Sequence, residues 1–140
     1  MIVSHGGGAG GYSLYVQDGR LHWTYNWLGA RTTTISSDEV LPDGPSTVVM
    51  TFSPTGAFQG DVTMTRDGTV IGSGHVPATT PVTYGIVGFT VGYQRGTAVS
   101  PTYSPPFAFG HDALLKVVVE PDGLAYRDKP AEERAGLAIQ

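Results

Sequence analysis

Residues 12–27 alternate apolar and polar side chains on either side of Asp18-Gly19, a dipeptide that accepts the positive φ angles of a type I′ turn. This predicts a β-hairpin in which Val16 faces Leu21, Leu14 faces Trp23 and Tyr12 faces Tyr25, with Trp27 extending the apolar ladder. The opposite face carries Ser13, Tyr15, Gln17, Arg20, His22, Thr24 and Asn26. A slip of one residue would place the rings in water, so the register is well specified. A second hairpin is predicted where residues 61–66 and 69–76 flank Asp67-Gly68, with Met64 opposite Ile71 and with Thr65 and Val70 on the other face.

The same alternation marks residues 46–53, with Val48, Met50 and Phe52 inward, and a Thr-rich strand at residues 31–36. Residues 1–5 read as a short strand and residues 41–45 as a turn. Residues 82–92 resume a strand with Tyr84, Ile86, Phe89 and Val91 as candidate buried positions, and residues 114–120 have the β-branched density of a central strand. Between these two, residues 93–106 form a long Pro-, Ser- and Thr-rich loop, either functional or packed as a cover, with Phe107 and Phe109 anchoring its end. A helix is predicted in the tail from Pro130, provided Leu137 and Ile139 find a surface. Strands at this spacing without βαβ alternation predict an all-β, antiparallel two-sheet sandwich in jelly-roll (concanavalin-like) order. The sandwich should span residues 1–125, with residues 126–140 a tail carrying the short C-terminal helix.

Composition narrows what such a sandwich does. The 140 residues contain no cysteine, which excludes disulfides, thiolate metal sites and a cysteine nucleophile. A net charge of −4 without a basic cluster argues against nucleic acid as a partner. No apolar run reaches the roughly 20 residues that span a bilayer, and no basic-then-apolar leader precedes the first strand, so the expectation is no membrane and a cytoplasmic chain. The run Gly6-Gly7-Gly8-Ala9-Gly10-Gly11 is followed by a strand and not by Lys-Ser/Thr and a helix, so it reads as a mobile hairpin connection and not as a phosphate cradle.

His5, His22, His75 and His111 are the candidate metal ligands, for zinc or another divalent cation, although no two have a spacing that fixes a pair locally. His111 and Asp112 are the candidate catalytic pair, because both follow a long loop at a strand end. Asp61 and Asp67 serve turns, with calcium binding as the functional alternative. Ser36, Ser37, Ser100 and Ser104 have no evident His–Asp partner in the sequence. Tyr12, Trp23, Tyr25 and Trp27 read as core before they read as a sugar-stacking platform.

The sequence Gly-Gly-Tyr-Ser-Leu-Tyr-Val-Gln-Asp-Gly-Arg-Leu at residues 10–21, Tyr25-Asn26-Trp27-Leu28-Gly29, Ser37-Asp38 with Leu41-Pro42-Asp43-Gly44, and Phe89-Thr90-Val91-Gly92 resembles the C-terminal β-sandwich of large bacterial arylsulfatases. Val99-Ser100, Tyr103, Pro106-Phe107-Ala108-Phe109 and Val117-Val118-Val119 continue the resemblance, which covers roughly residues 2–120. Sulfatases of that family act through a formylglycine made from a Cys-x-Pro-x-Arg motif that this chain lacks, so the resemblance implies a non-catalytic module whose partner is a sulfatase catalytic domain. Tyr93-Gln94 stands where the family often has Arg-Asp, and Gly110-His111-Asp112 where it tends to have Thr-Gly. Met1 falls where the family's chain is already inside a strand, which implies a truncated product or an internal start. The alternatives are a small metal-dependent hydrolase of activated phosphate, phosphotriester or sulfate esters, its histidines converging at a homodimer interface, and a carbohydrate-binding module. Separation from the catalytic domain would leave apolar surface that favours a homo-oligomer.

Overall fold

A computed structural model describes residues 1–80, 88–110 and 113–121. Among the described residues there are ten strands: β1 (Val3–Gly7), β2 (Gly10–Gln17), β3 (Arg20–Trp27), β4 (Arg31–Ser36), β5 (Val48–Gly56), β6 (Gln59–Arg66), β7 (Thr69–Val76), β8 (Phe89–Val91), β9 (Tyr93–Gln94) and β10 (Phe107–Ala108). They form a five-stranded sheet in the order β4-β3-β2-β1-β8, a three-stranded sheet in the order β5-β6-β7, and a β9-β10 ribbon. Every pairing is antiparallel. The fold is therefore an all-β antiparallel sandwich. Among the described residues, β1 to β4 and β5 to β7 each run in chain order as meanders. Tyr84, Ile86 and the predicted C-terminal helix lie outside the described residues. Among the described residues no helix is long and apolar enough to cross a membrane.

The first hairpin has its predicted register, with Val16 opposite Leu21, Leu14 opposite Trp23 and Tyr12 opposite Tyr25. Its turn residues have φ of 51° at Asp18 and 73° at Gly19, as type I′ geometry demands. The core lies between the sheets. Val3, Leu14, Leu21, Trp23 and Ile35 come from one sheet and Val62, Met64 and Val76 from the other. Full burial of such side chains stabilises by about 1.5–3 kcal/mol each. The Trp23 ring lies 6.0 Å from Tyr25 and 6.4 Å from Phe52, so it fills the interior and offers no platform for a sugar.

The second hairpin departs from its predicted register. Thr65 faces Val70 as expected, but a bulge puts Met64 opposite Gly72 in place of Ile71. The cause is the neighbouring sheet: a Cβ on Gly72 would lie 2.7 Å from the Ser36 carbonyl oxygen. Shifting by one residue brings the glycine under that crossing and leaves the Ile71 carbonyl to accept a 2.7 Å hydrogen bond from Asp38 N. The glycine run is also more ordered than a mobile connection. Gly6 and Gly11 face each other in the β1–β2 ladder, where a Cβ on Gly11 would sit 2.0 Å from the His5 oxygen.

Two further expectations need correction. Phe89 and Val91 are substantially exposed, because they stand in a short strand at the end of the larger sheet, outside the core cluster. Residues 114–120 form no strand among the described residues. Leu114 and Val117, three residues apart, pack on the core, while Leu115, Val118 and Val119 are 88%, 60% and 64% exposed.

Candidate functional site

The polar face of the first hairpin is where the architecture departs most from the sequence reading. Thr90, Ser4, Ser13, Thr24 and Thr34 stand in one row across all five strands of the larger sheet. A face of that kind normally meets water, yet Ser4, Ser13, Tyr15, Thr24 and Asn26 are buried. Residues 93–109 fold over them as a cover, with Met1, Tyr15 and Tyr103 forming a second small core beside Ala98 and Phe107.

Buried hydroxyls and amides must be bonded to repay their desolvation, and the cover supplies many of the partners. The Tyr15 hydroxyl meets Thr24 Oγ1 at 3.1 Å, Ser100 Oγ at 3.1 Å and Thr102 Oγ1 at 2.9 Å. The Tyr103 hydroxyl lies between Ser13 Oγ and Gln94 Oε1. Burial raises the Tyr103 phenol above its ordinary pKa, against the smaller lowering effect of its hydrogen bond to Ser13. Gln94 Nε2 donates to Thr97 O at 2.9 Å, and Gly8 N donates to Thr97 Oγ1 at 2.9 Å.

Asn26 joins three segments. Its amide donates to Gly7 O and Gly8 O at 3.2 Å and to Val99 O at 3.1 Å, while its Oδ1 accepts from Gly29 N at 2.9 Å. One side chain thus ties the β1–β2 turn, the β3–β4 turn and the cover together. A shallow groove of ≈ 400 Å³ opens beside it, bordered by Arg31, Thr32, Ser100 and Tyr103. The Arg31 guanidinium sits 5.6 Å from the Trp27 ring centroid.

The three described candidate histidines stand at separate places. His5 lies on the core-facing side near the sheet edge, edge-on to Tyr12 at 5.6 Å and Phe89 at 6.4 Å. His22 stacks on Tyr15 at 5.3 Å. His75 is on the outer face of the smaller sheet, where Nδ1 meets Asp61 Oδ1 at 2.7 Å. Among the described residues no group of three His, Cys, Asp or Glu side chains is placed to hold a metal ion. His111 and Asp112 lie outside the described residues. Asp67 sits in the β6–β7 turn with φ of 48°, and its Oδ1 accepts from Thr47 N, just before β5, at 2.8 Å.

Ser36 has a partner that the sequence concealed. Its hydroxyl is 2.7 Å from His22 Nδ1, and His22 Nε2 is 3.2 Å from the Gln17 carbonyl. A carbonyl only accepts, so in the neutral ring the proton sits on Nε2 and Nδ1 accepts from Ser36. The signal lay in the register predicted for the first hairpin, which sets His22 beside Tyr15; extending the ladder to the next strand places Ser36 opposite His22.

The remaining feature is apolar. Phe89, Val91 and Tyr93 are exposed at the β8 edge, and residues 114–119 leave this edge at Leu114, whose side chain lies beside Gly92. Phe109 N donates to Gly92 O at 2.8 Å and so fixes the start of that segment against β8. Fold and surface together define a β-sandwich whose larger sheet is sealed by a polar cover and which exposes apolar side chains at β8 among the described residues. No family model, curated protein or solved structure matches the chain.

Proposed function

We propose that the chain is a non-catalytic accessory sandwich of the arylsulfatase C-terminal type, a module that stands beside a catalytic domain and shapes its substrate cleft. The observation that carries this reading is the exposure of Phe89, Val91 and Tyr93 along β8 and β9, where rings and branched chains meet solvent at a sheet edge. The long loop supports it too, because its polar side chains are spent on holding the cover to the sheet. The test supplies an arylsulfatase catalytic domain lacking its own C-terminal sandwich and measures binding to the full chain by calorimetry. A one-to-one complex weakened by Phe89→Ser is the expected result. Absence of heat at any ratio would refute the reading.

A second reading, a small hydrolase of activated esters, is favoured by the Ser36–His22 pair and by the Asp61 carboxylate that orients His75. Multiple turnover of aryl phosphate, phosphotriester, sulfate and carboxylate esters decides between the two. Turnover abolished by Ser36→Ala or by a chelator would establish the hydrolase, and buffer-level rates in every case would remove it.

A further inference from the structure

Residues 114–120 combine features that conflict in a finished monomer. The run Leu-Leu-Lys-Val-Val-Val-Glu has high strand propensity and lies in non-helical backbone with no strand partner among the described residues. Three of its five aliphatic side chains face solvent. Isolated strand-forming segments of this kind are templates for another strand.

The sequence specifies which strand fits. When the segment is laid antiparallel on a copy of itself with Val118 on the two-fold axis, Val117 faces Val119 and Lys116 faces Glu120, at both ends of the ribbon. Both charged residues are exposed. Shifting the centre to Val117 would instead oppose Lys116 to Val118 and leave Glu120 facing Leu114, so only the Val118 register pairs the charges. In that register the partner's Val119 comes to lie beside Val117, which is itself partly buried against the core.

We propose that this segment is a homodimerisation strand, pairing antiparallel with the same segment of a second copy about a two-fold at Val118. The contact does not rest on the accessory-module reading: a dimer that never meets a catalytic domain satisfies one and sinks the other, and a monomer that binds such a domain does the reverse.

Sedimentation velocity on the full chain across the micromolar range tests it, with Lys116→Glu, Glu120→Lys and the double reversal alongside the native sequence. The native chain is expected to dimerise. Each single reversal sets like charges opposite one another at both ends and should weaken association about tenfold or more, while the double reversal restores it. All substitutions are at exposed positions, and near-ultraviolet circular dichroism checks that each variant is folded. A native monomer overturns the proposal, including one whose own tail covers the segment. So does a dimer indifferent to the single reversals, or one that the double reversal fails to restore.

Discussion

Asn26→Asp probes the logic of the covered face most directly. The two side chains have the same shape, but a carboxylate has no N–H to give. In the native chain two N–H groups are shared among three carbonyl oxygens, those of Gly7, Gly8 and Val99. Losing both donors leaves the two buried acceptors, the Gly7 and Val99 carbonyls, without this partner at about 1–3 kcal/mol each, so about 2–6 kcal/mol in all before charge repulsion is added. Domains of this size are stable by about 5–15 kcal/mol, so the loss is a large fraction of the total. Protonation would return one donor. Burial among carbonyl oxygens raises the folded-state pKa of the new carboxyl, so the variant should be least damaged below about pH 4 and lose stability as pH rises. Urea titrations at acidic and neutral pH measure this, with Asn26→Ala as the uncharged control. A neutral-pH stability within about 0.5 kcal/mol of the native chain would refute the account of Asn26 as the tie between three segments.

Other outcomes follow from single features. Leu28 holds φ of 55° at a half-exposed turn position, so Leu28→Asn should raise stability by about 0.5–1 kcal/mol in the same titration; a decrease would mean that the leucine side chain is a packing element. Burial raises the phenol pKa of Tyr103 and also of Tyr12, so the unfolded chain gives up these protons first, near pH 10. Their stabilisation is complete below that pH and is lost as pH rises toward the folded-state values. Tyr103→Phe should therefore flatten the alkaline fall in stability, and an unchanged slope counts against it. Gly11→Ala must displace the His5 carbonyl at a position with φ of 138°, so it should cost more than about 2 kcal/mol; a silent substitution would show that the glycine ladder is loose.

What the sequence made legible was local. Period-two alternation and the Asp-Gly dipeptides at residues 18–19 and 67–68 fixed two hairpins, and the Tyr15–His22 pairing followed from counting outward from the first turn. The turn at Leu28-Gly29 has the same positive φ angles without an Asx residue to announce it. The bulge before Gly72 depends on the Ser36 carbonyl of the opposite sheet, which no pattern within residues 61–76 encodes. Tyr15 and Thr24 read as solvent-facing because their covering residues lie far along the chain: the Tyr15 bond to Ser100 spans 85 positions. Residues 114–120 show the reverse case, in which propensity is plain and the partner is not in the described part of the fold. His5, His22 and His75 were visible as residue types, but the stacking of the two sheets that carry them is set by tertiary packing.

The hydroxyl row beneath the cover bears on synthesis of the chain. Strands β1 to β4 leave the ribosome well before residues 93–109, so the larger sheet can pair its first four strands while the segment that will seal it does not yet exist. Had that face been built from leucine and valine, the waiting sheet would expose a broad sticky surface. Serine, threonine and asparagine let water satisfy it in the interval, and docking of the loop gives Ser13, Tyr15 and Asn26 protein partners in place of water. The covered face can thus mature late without inviting aggregation, a safeguard during birth that the finished structure conceals.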